Sequence, residues 1–160
     1  MKHYAFIFLA ATMLLSGCKK ENWLDWRAEN MAWLEHNANI QQHQENFKIT
    51  PNGLQYLIID DGKGGPQQHP DVLKTVVVNY TERLINGNVV EQGKNVPLAV
   101  SGQIAGIIEG LCKMVPTAHY VLYIPSDLGY GSGSWGTEGV SGFIPPYSTL
   151  IYDVELLQVE

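Results

Sequence analysis

Residues 143–160 read FIPPYSTLIYDVELLQVE, and this stretch decides the fold. Behind the two prolines the residues alternate, so that Leu150, Tyr152, Val154 and Leu156 fall on one face. Such alternation is typical of an antiparallel strand with one buried face. Because each proline fixes φ and removes a backbone donor, the loop that leads into the strand cannot become helical. We therefore expect a half-buried strand here, entered by a loop that arches over the edge of a sheet.

Upstream of this strand, short apolar runs alternate with Gly, Pro and Asn. A β-branched run, KTVVVNYTERL at 74–84, places Tyr80 on the same face as two valines. Asn86-Gly87 then predicts a tight hairpin turn. By the same criteria we predict strands at 54–60, 74–84, 88–92, 96–100 and 119–125.

One helix signal interrupts the strands, in the sequence QIAGIIEGLCKM at 103–114. Ile104, Ile107, Ile108 and Leu111 recur at helical spacing, and a proline follows at 116. The predicted fold class is α+β: an antiparallel half-barrel sheet wrapped around one short helix, over residues 50–160. A further helix is predicted ahead of this domain.

The beginning of the chain resembles an export signal. A basic start precedes an apolar stretch that is too short to cross a bilayer and has the length of a signal-peptide core. The residues Leu15-Ser16-Gly17-Cys18 resemble the lipobox of bacterial lipoproteins, which implies a signal peptide at 1–17 and a lipid on Cys18. The other interpretation is an ordinary secretory signal with an incidental cysteine. A lipoprotein would be anchored in the bacterial cell envelope by acyl chains. Lys19 weakly favours the outer membrane, on its periplasmic or surface side.

Residues 18–49 are predicted to form a helix and a linker. The helix carries two apolar stripes, one with Trp23, Trp26, Trp33 and Leu34 and the other with Leu24, Ala28, Met31 and Ala32. Two stripes are more than a surface helix needs. The helix either packs on its own domain or pairs with a second copy, through residues 22–36, or with another partner. Residues 37–46, NANIQQHQEN, show no apolar period and are interpreted as the linker.

Composition excludes some classes of function. The formal net charge of −6 argues against a protein that binds nucleic acid by neutralising phosphates. The five histidines form no metal-binding pattern. Cys112 is interpreted as a small buried side chain, or alternatively as a nucleophile with His119 nearby in sequence. We expect no cofactor and no metal.

Four segments in order resemble FKBP-type peptidyl-prolyl cis-trans isomerases, from about residue 50 to residue 160. They are VVVNYTERLINGNVVE, GQIAGIIEGLCKM, IPSDLGYG and FIPPYSTLIYDVELL. The lipid-anchored helix resembles that of exported bacterial members, in which the N-terminal helix often mediates dimerisation. The resemblance implies a pocket for prolyl peptides.

Carried over position by position, the resemblance implies catalytic roles for Tyr80, Glu91, Ile104 and Tyr130, the last through its hydroxyl and Ile104 through its backbone N–H. It implies substrate-binding roles for six further residues: Val90, Leu98, Ile107, Phe143, Ile144 and Tyr152. The sequence departs from the family pattern at Val90, Glu91, Gln103 and Ile107, where the family has other residues. These departures predict a shallower and more aliphatic pocket.

The function implied is a prolyl isomerase that assists the folding of exported proteins in the bacterial envelope. Its partners would be proline-containing polypeptides, the membrane through Cys18, and a second copy of the chain. The alternative is a weakly catalytic or non-catalytic binding module with the same fold, acting as a membrane-anchored chaperone. A purely structural lipoprotein is a third class, in which Tyr130 and the Pro-Pro loop would have no use.

Overall fold

A computed structural model of the chain describes residues 23–62 and 69–160. The predicted signal peptide and the lipid-bearing Cys18 lie outside the described residues. Within them the elements are α1 (Trp23–Gln41), β1 (Phe47–Ile49), β2 (Gln55–Asp60), β3 (Thr75–Leu84), β4 (Val89–Ala99), α2 (Ala105–Leu111), β5 (His119–Ile124) and β6 (Leu150–Val159), with short 3-10 turns at Val100–Gly102 and Ser126–Leu128.

The six strands form one sheet in the order β1-β2-β5-β6-β3-β4, and every pair is antiparallel. Its concave face packs against α2, so the predicted half-barrel around one short helix is confirmed. The final strand lies inside the sheet, between β5 and β3. On it Leu150, Tyr152, Val154 and Leu156 are all buried, as the alternation predicted.

The hairpin turn at Asn86-Gly87 is also present. Gly87 has a φ of +86°, a conformation that glycine adopts without steric cost. The N–H of Leu84 donates to the carbonyl of Asn88, which closes the turn between β3 and β4.

The structure corrects two of the sequence predictions within the domain. The runs at 88–92 and 96–100 belong to a single strand, β4. It continues through Pro97 because it lies at the edge of the sheet, where a missing N–H leaves no ladder bond unmade on the open side. The regular α2 is also shorter than the predicted 103–114, since Ile104 caps its N-terminus and Cys112 caps its C-terminus.

The linker predicted at 37–46 is wrong in its first half, because α1 continues to Gln41. Asn37 and Gln41 are buried, and their amides form a hydrogen-bonded group with Gln55 on β2. Polar residues that find partners in another element can be buried without an apolar period. The strand β1, which pairs with β2 directly after this segment, was not predicted.

The tryptophan stripe of α1 packs on the domain. The indole N–H of Trp26 donates to the Ser148 hydroxyl at 2.9 Å, and the backbone N–H of Thr149 donates to Asn30 at 2.7 Å. Trp23 and Trp33 contact the rings of Phe143 and Tyr123. Intramolecular packing, one of the two interpretations of this helix, is therefore present for this stripe.

The second stripe of α1 faces away from the domain. Leu24 and Met31 are 62% and 61% exposed, and Ala28 and Ala32 are exposed as well. The structure thus uses one of the two apolar stripes for its own packing and leaves the other at the surface.

Candidate active site

A cavity of about 440 Å³ opens between the concave face of the sheet and the N-terminal end of α2. Residues from β3, β4, β6, α2 and the loop after β5 contribute to its walls. The close approach of α2 to the sheet forms the closed side of the cavity. It depends on Gly106 and Gly110, where a Cβ atom would lie 2.4 Å from Ile124 and 2.3 Å from Leu122.

Two stacked tyrosines form one wall. Tyr80 on β3 and Tyr152 on β6 have ring centroids 5.1 Å apart, with 19° between their planes. Burial raises the pKa of Tyr80 to about 12, together with a hydrogen bond to Glu91 and the negative charges of Glu91 and Glu82. Burial, followed by interactions with Tyr80 and the two carboxylates, also raises the pKa of Tyr152. Both hydroxyls therefore remain protonated at physiological pH.

Tyr130 and Trp135 form the opposite rim. They stack with centroids 5.5 Å apart, and Trp135 is held by an antiparallel bridge to Ile144. The Tyr130 hydroxyl forms no hydrogen bond with any residue that the structure describes, so it is available as a donor. Burial and the charges of Glu82 and Glu91 raise its pKa, which keeps the donor proton in place. The long loop after β5 thus adds an indole to the cavity that the sequence did not assign to the site.

The N-terminal end of α2 supplies the third side. Ile104 is the N-cap residue and Ile107 is buried in the first turn of the helix, while Leu98 faces them from β4. The first N–H groups of a helix lack acceptors within the helix. The Ile104 N–H forms no hydrogen bond in the described part of the chain, and it lies beside the cavity.

The ten residues predicted for the site do not all meet there. Seven line the cavity: Tyr80, Glu91, Leu98, Ile104, Ile107, Tyr130 and Tyr152. Val90 and Phe143 instead line a neighbouring cavity of about 390 Å³, between the β3–β4 turn and the loop at 139–145. Ile144 is 1% exposed and belongs to the hydrophobic core. The structure therefore places these three outside the cavity. Val90 is the unpaired residue of a bulge between β3 and β4 and packs against the core.

Five lining residues were not among the ten predicted: Glu82, Val96, Gly102, Gln103 and Trp135. Glu82 is only 6% exposed, although it is a carboxylate, and it lines the cavity. It follows Val76, Val78 and Tyr80 at even positions on β3, so continuing the alternation by one step would have placed it on the inner face. The cavity is therefore not simply more aliphatic than the family pattern, as predicted, but contains a buried acid.

Cys112 and His119 show no sign of a catalytic pair. Burial and the nearby Asp71 raise the pKa of the Cys112 thiol, whereas a nucleophilic cysteine needs a lowered pKa. His119 lies 2.7 Å from Asp153 on the neighbouring strand. The interpretation of Cys112 as a partly buried packing residue fits these contacts.

Residues 23–62 and 69–160 contain neither a candidate metal site nor a candidate membrane-spanning helix. No group of three or more His, Cys, Asp or Glu side chains in this part of the chain is arranged to hold a metal ion. None of the helices there is both long and apolar enough to span a bilayer.

An antiparallel half-barrel closed on one short helix, with tyrosines around the cavity between them, defines the FKBP class of protein. The chain belongs to the FKBP-type peptidyl-prolyl cis-trans isomerase family, whose sequence model matches residues 66–157.

Individual relatives agree with this assignment. The chain is 36% identical over 136 residues to the FKBP-type 22 kDa peptidyl-prolyl cis-trans isomerase of Escherichia coli K12, covering 82% of this chain and 60% of that protein. It is 35% identical to the outer membrane protein MIP of Legionella longbeachae, covering 82% and 55%. The crystal structure of FkpA from Escherichia coli superposes with a TM-score of 0.70 at 34% identity, covering 86% of this chain and 62% of that one. The chain thus spans about half to three fifths of the length of such relatives.

Proposed function

We propose that the protein is a peptidyl-prolyl cis–trans isomerase that acts on exported polypeptides. The observation that carries the proposal is the cavity in which Tyr80, Tyr152, Tyr130, Ile104 and Ile107 converge. Family membership supports it, since relatives of this chain are named as isomerases.

The chemistry required fits these residues. An X–Pro bond exchanges over a barrier of about 18–20 kcal/mol, because the planar amide loses resonance as it twists. The planar amide is more dipolar than the twisted one, so a cavity with apolar walls stabilises it less than water does. No covalent bond is formed or broken, and neither a nucleophile nor a cofactor is required.

Two donors would hold the flanking chain. The Tyr130 hydroxyl and the Ile104 N–H are each free of hydrogen bonds within the described residues, and we assign them to carbonyl oxygens of the client on either side of the proline. Donors that bind better when the amide is twisted would lower the barrier further. Glu91, whose charge helps to raise the pKa of Tyr80, would orient the aromatic wall.

The test is NMR exchange on an Xaa-Pro peptide. Wild-type protein should accelerate exchange, and Tyr130→Phe should lower kcat/KM by roughly tenfold, since one hydrogen bond contributes about 1–1.5 kcal/mol. Tyr80→Ala should reduce it further, because the stacked wall is lost. Tyr147→Phe is the matched control, since this ring lies outside the cavity beneath Arg27. Exchange by the wild type no faster than in buffer would reject the proposal.

A second candidate is a binding module of the same fold without significant catalysis. The buried carboxylate of Glu82 favours it, because a charge inside the cavity opposes the removal of water from the amide. Suppression of aggregation that persists in Tyr130→Phe and Tyr80→Ala, together with no exchange activity, would identify this function.

We further propose that the protein is held in the bacterial envelope by a lipid on Cys18. The lipobox-like residues 15–18 support this, as does the likeness to a relative named as an outer membrane protein. In cells grown with labelled palmitate, the wild type should carry label and partition into detergent, and Cys18→Ser should do neither. Cys112→Ser is the matched control and should behave as the wild type. Label that persists in Cys18→Ser would contradict the anchor.

We also propose a homodimer formed through residues 22–36. The exposed second stripe of α1, with Met31 at its centre, supports this. Pairing of this stripe with the same stripe of a second chain would remove from water the apolar surface that a single chain leaves exposed.

A further inference from the structure

Glu82 occupies an unusual position for a carboxylate. It lies on the inner face of β3, directly opposite Glu91 on β4 and Tyr152 on β6. Its side chain is more than nine-tenths buried and lines the proposed prolyl cavity. Two acids therefore face each other across one pair of strands at the cavity wall.

No positive charge compensates this pair within the described residues. The Glu82 carboxylate forms neither an ion pair nor a hydrogen bond with any of them, and the ion pair found there joins His119 to Asp153 instead. Glutamate is almost never fully buried unless it is paired, because an isolated charge loses its hydration. A buried acid directed into an open cavity without a partner indicates that the partner is a ligand.

We propose that Glu82 and Glu91 make the cavity selective for client segments with a lysine or arginine next to the proline. This inference rests on the proposed function and deepens it, since it concerns which clients the same cavity takes. The cation would approach two carboxylates that repel each other when both are ionised, and it would relieve that repulsion. The ammonium or guanidinium group would also give the Glu82 carboxylate a charged hydrogen-bond donor.

The selectivity should depend on pH. Burial, and to a lesser extent the charge of Glu91, raises the pKa of Glu82 to about 7. The other titratable groups that face it are the hydroxyls of Tyr80, Tyr130 and Tyr152, which stay protonated. The residues of α2 at the cavity are uncharged. Glu82 is therefore ionised above about pH 7 and neutral below it, so the preference for a cation should strengthen as pH rises.

The experiment compares peptides that are alike except for charge. Exchange is measured by NMR on peptides with lysine, norleucine or glutamate before the proline, and on a second set with these residues after it. In one of the two sets the wild type should favour lysine over norleucine by about fivefold in kcat/KM at pH 8. The reason is that a partly desolvated ion pair contributes more binding free energy than an exposed one. The ratio should fall towards one in Glu82→Gln. Glu45→Gln, which removes an exposed charge outside the cavity, should keep the wild-type ratio.

The outcomes separate this inference from the proposed function. A ratio unchanged by Glu82→Gln, or equal rates on lysine and norleucine peptides, would overturn it. If Glu82→Gln does not fold, the wild-type ratio is measured at about pH 6 and pH 8, and a ratio that does not rise contradicts the inference. If no peptide exchanges faster than in buffer, the isomerase proposal fails. The inference about Glu82 is then tested by measuring the affinity of each peptide with chemical-shift titration. Tighter binding of the lysine peptide that Glu82→Gln abolishes supports the inference, and equal affinities overturn it.

Discussion

A carboxylate on the inner face of a strand costs free energy, because burial removes its water before any partner replaces it. At Glu82 this cost appears as a pKa raised to about 7. Burial, and after it the charges of Glu91 and Glu82, raises the pKa of the Tyr80 and Tyr130 hydroxyls. At the scale of single residues, the cavity combines tyrosine hydroxyl donors with the carboxyl group of Glu82, which is protonated below about pH 7.

This acid makes the stability of the protein depend on pH. Because the pKa of Glu82 is higher in the folded chain than in the unfolded chain, the native state binds more protons between about pH 4.5 and pH 7. Stability from this residue is thus greatest at low pH and is lost as pH rises through the folded pKa. The loss is on the order of 3 kcal/mol, since each pKa unit corresponds to about 1.4 kcal/mol.

Urea unfolding at about pH 5 and pH 8 measures this effect. Glu82→Gln should unfold at higher urea than the wild type at pH 8, and its stability should change less between the two pH values. Glu155→Gln, an exposed acid on β6 bonded to Asn79, is the control and should retain the wild-type pH dependence. A Glu82→Gln variant that is less stable than the wild type at pH 8 would contradict the inference that the buried charge of Glu82 lowers stability.

At the scale of elements, the site depends on the position of a helix of seven residues, α2. Isolated helices of this length are unstable in water, so its stability comes from packing against the sheet. Gly106 and Gly110 permit that packing, because the space where a Cβ atom would lie is occupied by the side chains of Ile124 and Leu122 on β5. Ile124 and Leu122 are both fully buried, so their side chains have little room to move.

A methyl group at Gly106 should therefore destabilise the protein. Gly106→Ala would place Cβ 2.4 Å from the Ile124 methyl carbon, and overpacking of this kind costs about 1–3 kcal/mol. Alanine has the higher helix propensity, which would stabilise the variant if contacts were absent. Gly102→Ala is the control, since no atom lies within 4 Å of its added carbon. Thermal unfolding of the two variants should show a lower Tm for Gly106→Ala alone.

At the scale of the whole molecule, α1 joins distant parts of the chain. Its docked face contacts the loop before β6 through Trp26 and Asn30, and β2 through Asn37. The helix therefore has a fixed orientation on the domain. Its second apolar stripe therefore forms one defined exposed surface.

The proposed homodimer predicts the effect of a charge on this surface. Met31→Lys should convert a two-chain species into a single chain, or raise the dissociation constant, because it places an ammonium among apolar side chains. His36→Lys on the same helix is the control. It adds a similar charge at an exposed position outside the stripe. Light scattering over a concentration series measures the mass, and a wild type that remains a single chain throughout would contradict the dimer.

Local sequence patterns were sufficient to predict an element where one face of that element is apolar. The alternation at Leu150–Leu156, the Asn-Gly turn and the spacing of Ile104 and Ile107 predicted β6, the hairpin and the helix of the domain. They did not predict the end of α1, because Asn37 and Gln41 are buried through hydrogen bonds, from Asn37 to Gln55 and from Gln41 to Asn37. Nor did they separate Ile144 in the core from Leu98 at the cavity, since both are apolar residues in extended segments.

The sequence by itself determined which residues alternate and turn, and hence β2, β3, β5, β6 and the helix of the domain in their order along the chain. These features arise from interactions between near neighbours, which a linear pattern records. Only the tertiary structure decided which face of α1 is used, how Trp135 stacks on Tyr130, and that Glu82 faces Glu91 inside the cavity. These depend on distances between residues far apart in sequence, and on the water that each contact removes, so only the folded chain specifies them.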